Sequence, residues 1–252
     1  MPIPGSPRIT VFPNDEIAAR TLASRIAERV TSKPDLVIGL PTGRTPVRLY
    51  AELERLCGQG RIDFSRVTTF NLDEFLGIGS DHPGSFRTFM NEHFFTRVNL
   101  QTDRIHFLSG AARDCAAECA RYEQEIAAAG GIDLLLLGLG TNGHIGFNEP
   151  AATLEGRTHR VTLTPETRRA NAALFGGDVE AVPKEALSMG MATILQARAI
   201  VLIATGSAKA SVVDRLLRGP ITPELPASFL QTHADCELVL DQAAAEKVTG
   251  RA

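Results

Sequence analysis

A histidine, a carboxylate and an amide follow an apolar run in the segment LLLLGLGTNGHIGFNEP, residues 134–150. A neutral imidazole such as that of His144 can accept and donate a proton near pH 7. A nearby carboxylate or amide can fix the tautomer of the ring, and Asn142 and Glu149 are the local candidates. The presence of Asn142 and Glu149 near His144 favours proton transfer at this histidine. The alternative is a hydrogen-bonded histidine without a catalytic role.

The same segment fits the glycine pattern G-x-G-x-x-G of dinucleotide-binding turns at residues 138–143. In that motif the turn opens a helix, and the N-terminus of the helix holds the pyrophosphate. Gly146 and Pro150 disfavour a helix here, and no acidic residue ends a second strand about 20 residues further on. We therefore interpret the glycines as residues that let a loop turn tightly beneath a ligand.

Two other loops, 41–46 (PTGRTP) and 205–209 (TGSAK), each join a predicted strand to a predicted helix. Gly43 lets the backbone approach a ligand, Thr45 can cap the helix, and free N–H groups at a helix start favour an anion. Lys209 is placed to reach a phosphate held by the first loop. The alternatives are an ordinary turn and a solvated lysine, and the Gly-Lys-Ser/Thr ending of a Walker A loop is absent.

Two adjacent acids, Asp73 and Glu74, stand at the end of a predicted strand. In an extended backbone their side chains point in opposite directions, so at most one faces a site. A carboxylate that faces a pocket is a candidate base for a carbon-bound proton. Together the loops predict a small phosphorylated substrate, one carboxylate base and one histidine acid/base, with no demand for a metal or redox cofactor.

Strands that alternate with helices predict the scaffold for these loops: an α/β, single-domain, Rossmann-like fold with a mostly parallel sheet and helices on both faces. In such a sheet the ligand site lies outside the carboxyl ends of the strands. No linker divides the chain, so we predict one domain, 1–252. The predicted strands are 8–12, 36–38, 67–72, 105–108, 134–137, 161–164, 199–204 and 237–240, and the main predicted helices are 15–30, 47–56, 85–95, 111–129, 185–195 and 210–217.

Composition is that of an ordinary soluble protein: 252 residues, 44% hydrophobic and 22% charged, with a net charge of −3. The charge does not indicate a nucleic-acid surface, and no apolar run is long enough to span a membrane. The N-terminal residues lack the pattern of a signal peptide. The four cysteines have no disulfide or zinc spacing, so we expect free thiols in a cytoplasmic protein.

Six motifs in order, PTGRTP, FNLDEF, GLGTNGHIGFNEP, ETRRAN, VPKEALSMG and ATGSAKA, make the chain from about residue 37 to the C-terminus resemble the glucosamine-6-phosphate deaminase family. The resemblance implies conversion of glucosamine 6-phosphate and water to fructose 6-phosphate and ammonia, without a cofactor. It implies a small-molecule amino-sugar phosphate as the partner, and a monomer or homo-oligomer.

The resemblance also assigns roles to residues. Asp73 matches the base that removes the C2 proton, and His144 matches the residue that takes the O1 proton during ring opening. Asn142 and Glu149 match the partners of that histidine. Residues 160–182 match a mobile lid. The residues that match phosphate ligands are Thr42, Gly43, Arg44, Thr45, Arg168 and Lys209.

The chain departs from the residues of the family at two positions of the site, and three alternative functions stay open on the sequence alone. Some relatives carry an aspartate in place of Asn142, and an amide cannot stabilise an imidazolium by charge. Many carry a glycine in place of Arg44, which either adds a phosphate contact or points to solvent. The alternatives are a 6-phosphogluconolactonase, disfavoured by Asp73 and the 148–150 Asn-Glu-Pro ending; a galactosamine-6-phosphate deaminase, which the motifs do not distinguish; and a sugar-phosphate sensor without catalysis.

Overall fold

A sheet of seven parallel strands forms the centre of the protein in the computed structural model, which describes residues 6–249. The strand order is β1-β10-β9-β6-β2-β3-β5, and a second sheet of three antiparallel strands has the order β4-β8-β7. The predicted α/β, mostly parallel fold is confirmed, while the ends of the predicted domain, 1–5 and 250–252, lie outside the described residues. The strands are β1 Arg8–Phe12, β2 Val37–Leu40, β3 Thr68–Asn71, β4 Asp73–Phe75, β5 Ile105–His106, β6 Leu134–Gly138, β7 His159–Thr162, β8 Glu185–Ser188, β9 Ala199–Ala204 and β10 Cys236–Asp241.

Helices cover both faces of the large sheet, because its strands are apolar on both sides. In β6, Leu134 and Leu136 join the core under the helices Asp15–Ser32, Arg44–Gly58 and Phe86–His93, whereas Leu135 and Leu137 join the core under the helices Cys115–Ala128 and Ala210–Arg218. This alternation is what the period-2 geometry of a strand requires. No helix within residues 6–249 is long and apolar enough to cross a membrane. The helices are α1 Asp15–Ser32, α2 Arg44–Gly58, α3 Phe86–His93, α4 Cys115–Ala128, α5 Pro165–Asn171, α6 Met191–Leu195, α7 Ala210–Arg218 and α8 Glu246–Thr249.

The direction in which the chain crosses the large sheet reverses between β2 and β6. From β2 the chain adds β3 and β5 on one side, and then returns to place β6, β9 and β10 on the other side. Such a reversal leaves a crevice at the carboxyl ends of the two neighbouring strands, where ligands bind in open α/β sheets. The loops after β2 and β6 are therefore the two walls of the expected site.

One predicted helix, 185–195, is wrong. Residues Glu185–Ser188 form β8, the central strand of the small sheet, and only Met191–Leu195 is helical. Gly190 separates the two elements, and a Cβ on this glycine would lie 2.1 Å from the Arg157 carbonyl oxygen. The apolar spacing of this segment suits either structure, and pairing with β4 and β7 decides for the strand.

Several predicted bounds also change. The stretch 67–72 is followed by a separate strand, β4, which leaves the large sheet and pairs with β8. The predicted strand 161–164 is found at His159–Thr162, and 105–108 shortens to Ile105–His106. The apolar run 225–230 is mostly a 3₁₀ helix, Pro226–Thr232. Ends of elements depend on capping and tertiary pairing, which local patterns specify least.

Candidate active site

Four loops meet at the carboxyl edge of the large sheet because they follow four adjacent strands, β9, β6, β2 and β3. They are the loops 205–209, 139–150, 41–43 and the short link through Leu72 into β4. The register is tight: Gly39 of β2 pairs with Leu135 of β6, and Gly138 of β6 pairs with Ile203 of β9. The tertiary structure thus brings the predicted functional loops side by side.

His144, Glu149 and Asn142 form one connected group in the loop after β6. The Nδ1 atom of His144 lies 3.6 Å from Oε2 of Glu149, an ion-pair distance. The Asn142 side chain donates to Glu149 Oε2 at 2.9 Å, and its Oδ1 accepts from the His144 backbone N–H at 3.1 Å. Asn142 therefore fixes the loop and the carboxylate, and Glu149 is the charged group that faces the imidazole.

The Glu149 carboxylate is held in its ionised form. Burial by itself raises its pKa, but interactions with His144, and hydrogen bonds from Thr167 and Asn142, outweigh burial and lower the pKa to about 2. A carboxylate that stays charged next to an imidazole favours the imidazolium that forms when the ring accepts a proton. The arrangement therefore suits His144 to act as a base towards a hydroxyl proton.

The glycines of this loop are explained by close approach and turning. No helix follows them within 139–150, so the dinucleotide interpretation is excluded. A Cβ on Gly140 would lie 2.4 Å from His144 Nδ1, so the imidazole rests directly on the backbone of this residue. Gly143 and Gly146 have φ values of 96° and 57°, a region that side chains rarely adopt.

Replacing Gly140 with alanine should move the His144 ring and lower turnover by about 10²-fold, the cost of a displacement on the order of 1 Å. Gly138→Ala is the matched control, because a Cβ there meets no atom within 4 Å. Steady-state turnover and the circular dichroism of both variants provide the measurement. Equal turnover in the two variants would contradict the placement of the ring.

Asp73 lies at the start of β4, beside the loop that carries His144. It pairs with Ser188 of β8, and a Cβ on Gly146 would lie 3.5 Å from its Oδ2 and 3.1 Å from the Ser188 hydroxyl oxygen. Its Oδ1 is buried without a hydrogen-bond partner. Burial, reinforced by the neighbouring Glu74 carboxylate, raises the pKa of Asp73 to about 8. A buried carboxylate of this kind is a strong base once it is ionised.

Glu74 points away from this site, as extended geometry requires. Its Oε1 accepts from the backbone N–H groups of Phe75 at 2.8 Å and Phe86 at 2.9 Å, and its Oε2 accepts from Arg87 at 3.0 Å. Glu74 thus ties β4 to the N-terminus of α3, where a negative charge is favourable. Burial raises the pKa of Glu74 to about 7, although these hydrogen bonds oppose it.

The loop after β2 leaves an uncapped helix start beside two cations. Gly43, with φ 99°, is the N-cap of α2 and no side chain caps its N–H groups, so Thr45 is not the cap that the sequence predicts. Burial, together with the charge of Arg44, lowers the pKa of Lys209. Within the described chain no carboxylate pairs with the Lys209 ammonium. The uncapped start of α2, with Thr42 just before it, and the Lys209 ammonium, which lies close enough to Arg44 to be affected by its charge, are features that suit a phosphate.

Arg168 lies elsewhere in this structure. Its guanidinium donates to the carbonyl oxygens of Val179 at 2.7 Å and Val182 at 3.2 Å, and it lies 3.4 Å from Glu180. These contacts hold residues 165–182 together, and none of them involves Lys209. None of these contacts joins Arg168 to the loops 41–43 or 205–209.

The same segment supplies a contact that the sequence did not predict. The Thr167 hydroxyl, buried in α5, donates to Oε1 of Glu149, and Thr164 lies 3.5 Å from the same atom. Helix α5 is therefore coupled directly to the carboxylate that faces His144. Only the position of Thr167 within the ETRRAN motif, with Thr164 just before it, could have suggested the contact, since neither residue is near Glu149 in sequence.

No three His, Cys, Asp or Glu side chains within residues 6–249 are grouped closely enough to hold a metal ion. A groove of about 990 Å³ lies between the N-terminal half of α4 and β7, and its lining includes Cys115, Glu123 and His159. It contains none of the residues that the sequence predicts for the site. The candidate catalytic and binding residues lie in the polar loops at the sheet edge and not in this groove.

Comparisons with known proteins place the chain among proteins of known sequence and fold. A family model described as glucosamine-6-phosphate isomerases/6-phosphogluconolactonase matches residues 15–239. A glucosamine-6-phosphate deaminase of Rhodopirellula baltica is 49% identical over 244 residues, 97% of each chain. A solved structure of a monomeric glucosamine-6-phosphate deaminase has a TM-score of 0.91 and 42% identity, and covers 95% of this chain and 99% of that one. A 6-phosphogluconolactonase from Trypanosoma cruzi, at 20% identity and a TM-score of 0.76, shares the fold over 98% of both chains.

Proposed function

The chain belongs to the family of glucosamine-6-phosphate isomerases and 6-phosphogluconolactonases, and from this membership we propose that it is a glucosamine-6-phosphate deaminase. The reaction converts glucosamine 6-phosphate and water to fructose 6-phosphate and ammonia. The observation that carries the proposal is the buried Asp73 carboxylate beside the loop of His144 and Glu149. An enolisation needs such a base, and hydrolysis of a lactone does not.

Ring opening is the first step, and His144 is placed to perform it. The imidazole accepts the proton of the O1 hydroxyl as the bond between C1 and the ring oxygen breaks, and the imidazolium then gives a proton to the ring oxygen, which becomes the C5 hydroxyl. Glu149, 3.6 Å from the imidazole, stabilises the imidazolium that results. Asn142 holds the carboxylate through its 2.9 Å hydrogen bond, so the residue at this position positions the pair and needs no charge of its own.

Enolisation follows at C2. Opening the ring places an aldehyde next to C2, which acidifies the C2 proton, and Asp73 in its ionised form removes this proton. The enolamine then takes up a proton at C1, which leaves an imine at C2. Water adds to C2, the C–N bond breaks, and ammonia leaves, so C2 becomes the ketone carbon of fructose 6-phosphate. Burial of Asp73 excludes water from the base and raises its proton affinity.

The segment 160–182 acts as a lid in this proposal. It contains α5 and contacts Glu149 through Thr167, so its position is linked to the ionised carboxylate. Opening the lid would bring substrate in, and closing it would exclude water during enolisation. Arg168 donates to the carbonyl oxygens of Val179 and Val182, which belong to the same segment, so it would move with the lid as one unit.

Two alternative substrates, galactosamine 6-phosphate and 6-phosphogluconolactone, are distinguished from glucosamine 6-phosphate by an enzyme assay. Galactosamine 6-phosphate differs only at C4, and no contact described above distinguishes the two epimers. For 6-phosphogluconolactone, the phosphate loops and His144 would suffice, and Asp73 would have no role. Curated relatives at 42–49% identity are named glucosamine-6-phosphate deaminases, which favours the amino sugar.

Ammonia release from glucosamine 6-phosphate, measured together with fructose 6-phosphate, tests the proposal. We expect both products at equal rates from the purified protein. Galactosamine 6-phosphate and 6-phosphogluconolactone are assayed in parallel as competing substrates. Lactone hydrolysis without ammonia release, or no turnover of the amino sugar, would reject the deaminase.

Lys209→Met should raise KM for glucosamine 6-phosphate by about tenfold or more, since it removes a charged hydrogen-bond donor of the phosphate site. The effect on kcat should be small, because the phosphate is bound equally in the ground and transition states. Lys33→Met, beside Asp133 at the opposite edge of the sheet, is the control and should leave KM unchanged. A fall in kcat alone would assign Lys209 a different role.

The location and the oligomeric state are also part of the proposal. All four cysteines are free thiols, which is usual in the reducing cytoplasm. The solved relative at 42% identity is described as monomeric, which favours the monomer of the two states that the sequence leaves open. Size-exclusion chromatography with light scattering measures the state directly.

A further inference from the structure

Unpartnered polar atoms are concentrated at the candidate active site. Six buried side-chain nitrogen or oxygen atoms within the described chain have no hydrogen-bond partner, and four of them belong to Asn71, Asp73, His144 and Asn148. A buried acceptor without a partner is destabilising, so folded proteins rarely retain one without a use. Asp73 and His144 already have roles in the proposed reaction, whereas Asn148 has none.

Asn148 is held in one orientation. Its Nδ2 donates to the carbonyl oxygens of Ile145 at 2.9 Å and Met189 at 2.8 Å, which uses both N–H bonds of the amide. The side chain is 2% exposed, so it has no freedom to rotate into solvent. The Oδ1 atom is therefore a fixed acceptor with both lone pairs available.

The amide lies beside the base of the proposed reaction. A Cβ on Gly146 would be 3.6 Å from Asn148 Nδ2 and 3.5 Å from Asp73 Oδ2, so both groups border the same point. Asp73 takes the proton from C2, and the amine is bonded to that same carbon. The Nδ2 end of the amide borders this point, and Oδ1 is the end of the same amide that lacks a partner. A protonated amine is a donor that matches such an acceptor-only oxygen.

We propose that Asn148 Oδ1 accepts a hydrogen bond from the 2-amino group of the substrate and selects amino-sugar phosphates over sugar phosphates without a donor at C2. This role rests on the proposed deaminase function and adds the residue that recognises the amine. It also gives the buried acceptor its partner in the complex. In this proposal the phosphate loops bind the opposite end of the sugar and do not contact the amine.

Two open-chain inhibitors that differ only at C2 test the role: 2-amino-2-deoxyglucitol 6-phosphate and 2-deoxyglucitol 6-phosphate. The ratio of their inhibition constants measures recognition of the amine, because phosphate binding cancels. In Asn148→Ala we expect this ratio to fall by about tenfold, the contribution of one hydrogen bond to a charged group. An unchanged ratio with both inhibitors weakened equally would assign Asn148 a purely structural role and overturn the inference.

Ser188→Ala is the matched control for loosening of the loop. The Ser188 hydroxyl accepts from Phe147 N–H at 3.1 Å and donates to the same Met189 carbonyl oxygen that Asn148 contacts. It should weaken both inhibitors equally and keep their ratio; a tenfold fall in the ratio here as well would overturn the inference.

A second variant covers a failure of Asn148→Ala to fold. Asn148→Asp retains an acceptor oxygen and loses both donors, so it should preserve the preference for the amine; loss of the preference would count against the inference. Assays of the unmodified enzyme distinguish a failure of the deaminase function from a failure of the role of Asn148. Turnover of glucosamine 6-phosphate with an unaltered ratio in the variants rejects only the role of Asn148, whereas absence of both turnover and inhibitor binding rejects the deaminase function and this role with it.

Discussion

Asp73→Asn should abolish exchange of the C2 proton of glucosamine 6-phosphate with solvent and lower turnover by about 10²- to 10⁴-fold, the contribution of a positioned base. The amide has the shape of the carboxylate but cannot accept the proton. Phosphate binding should survive, because Lys209 and the start of α2 are separate from β4. Deuterium incorporation at C2 and the inhibition constant of 2-amino-2-deoxyglucitol 6-phosphate measure the two effects.

The pH dependence provides an independent check on the same residue. The pKa of Asp73 is raised to about 8, so the free enzyme holds this carboxyl protonated below that pH and ionised above it. Because the base must be ionised, kcat/KM should rise with pH up to about 8. In the complex with substrate, the bound ammonium group should lower the pKa of Asp73, so kcat should rise at a lower pH than kcat/KM does. Glu74→Gln is the control: exchange should persist, with the rise of kcat/KM shifted to lower pH because a neighbouring negative charge is removed. Exchange that persists in Asp73→Asn would remove Asp73 from the reaction.

His144→Gln should lower turnover of glucosamine 6-phosphate by about 10²- to 10⁴-fold, because the closed ring no longer has a group that accepts the O1 proton. Binding of the open-chain inhibitor should change by less than about threefold, as this ligand needs no ring opening. Steady-state kinetics and inhibition constants compare the two. Glutamine retains hydrogen bonding, so a loss of turnover would report the loss of proton transfer.

His93→Gln is the matched control for this substitution. His93 is the last residue of α3, packs against Phe89, and lies on none of the four loops. It should retain the turnover of the unmodified enzyme. If His144→Gln also retained turnover, ring opening would have to occur without this residue, and the group of His144, Glu149 and Asn142 would have another purpose.

The fold class and the location of the site could be predicted from local patterns. Apolar runs such as 134–137 and 199–204 specify buried strands because a parallel sheet is covered on both faces. The order of strands and helices then requires that loops such as 139–150 lie at one edge. His144, Glu149 and Asp73 were identified in this way, since each follows a recognisable strand.

The tertiary structure decided what depends on residues far apart in the chain. The segment 185–195 has apolar spacing suited to a helix or a strand, and its pairing with β4 and β7 selected the strand. The contact of Thr167 with Glu149 crosses 18 residues and depends on how α5 packs. The pinned amide of Asn148 depends on a carbonyl of Met189, 41 residues away.

What the sequence by itself determined, therefore, is the set of elements and the chemical groups at their ends. Hydrophobic periodicity and helix-breaking residues act over a few neighbours and are present in the sequence directly. What only the tertiary structure decided is which groups are buried, which hydrogen bonds they lack, and how their pKa values shift. Asp73 becomes a strong base, and Asn148 an unpartnered acceptor, because desolvation and pairing arise only when distant strands and loops pack around them.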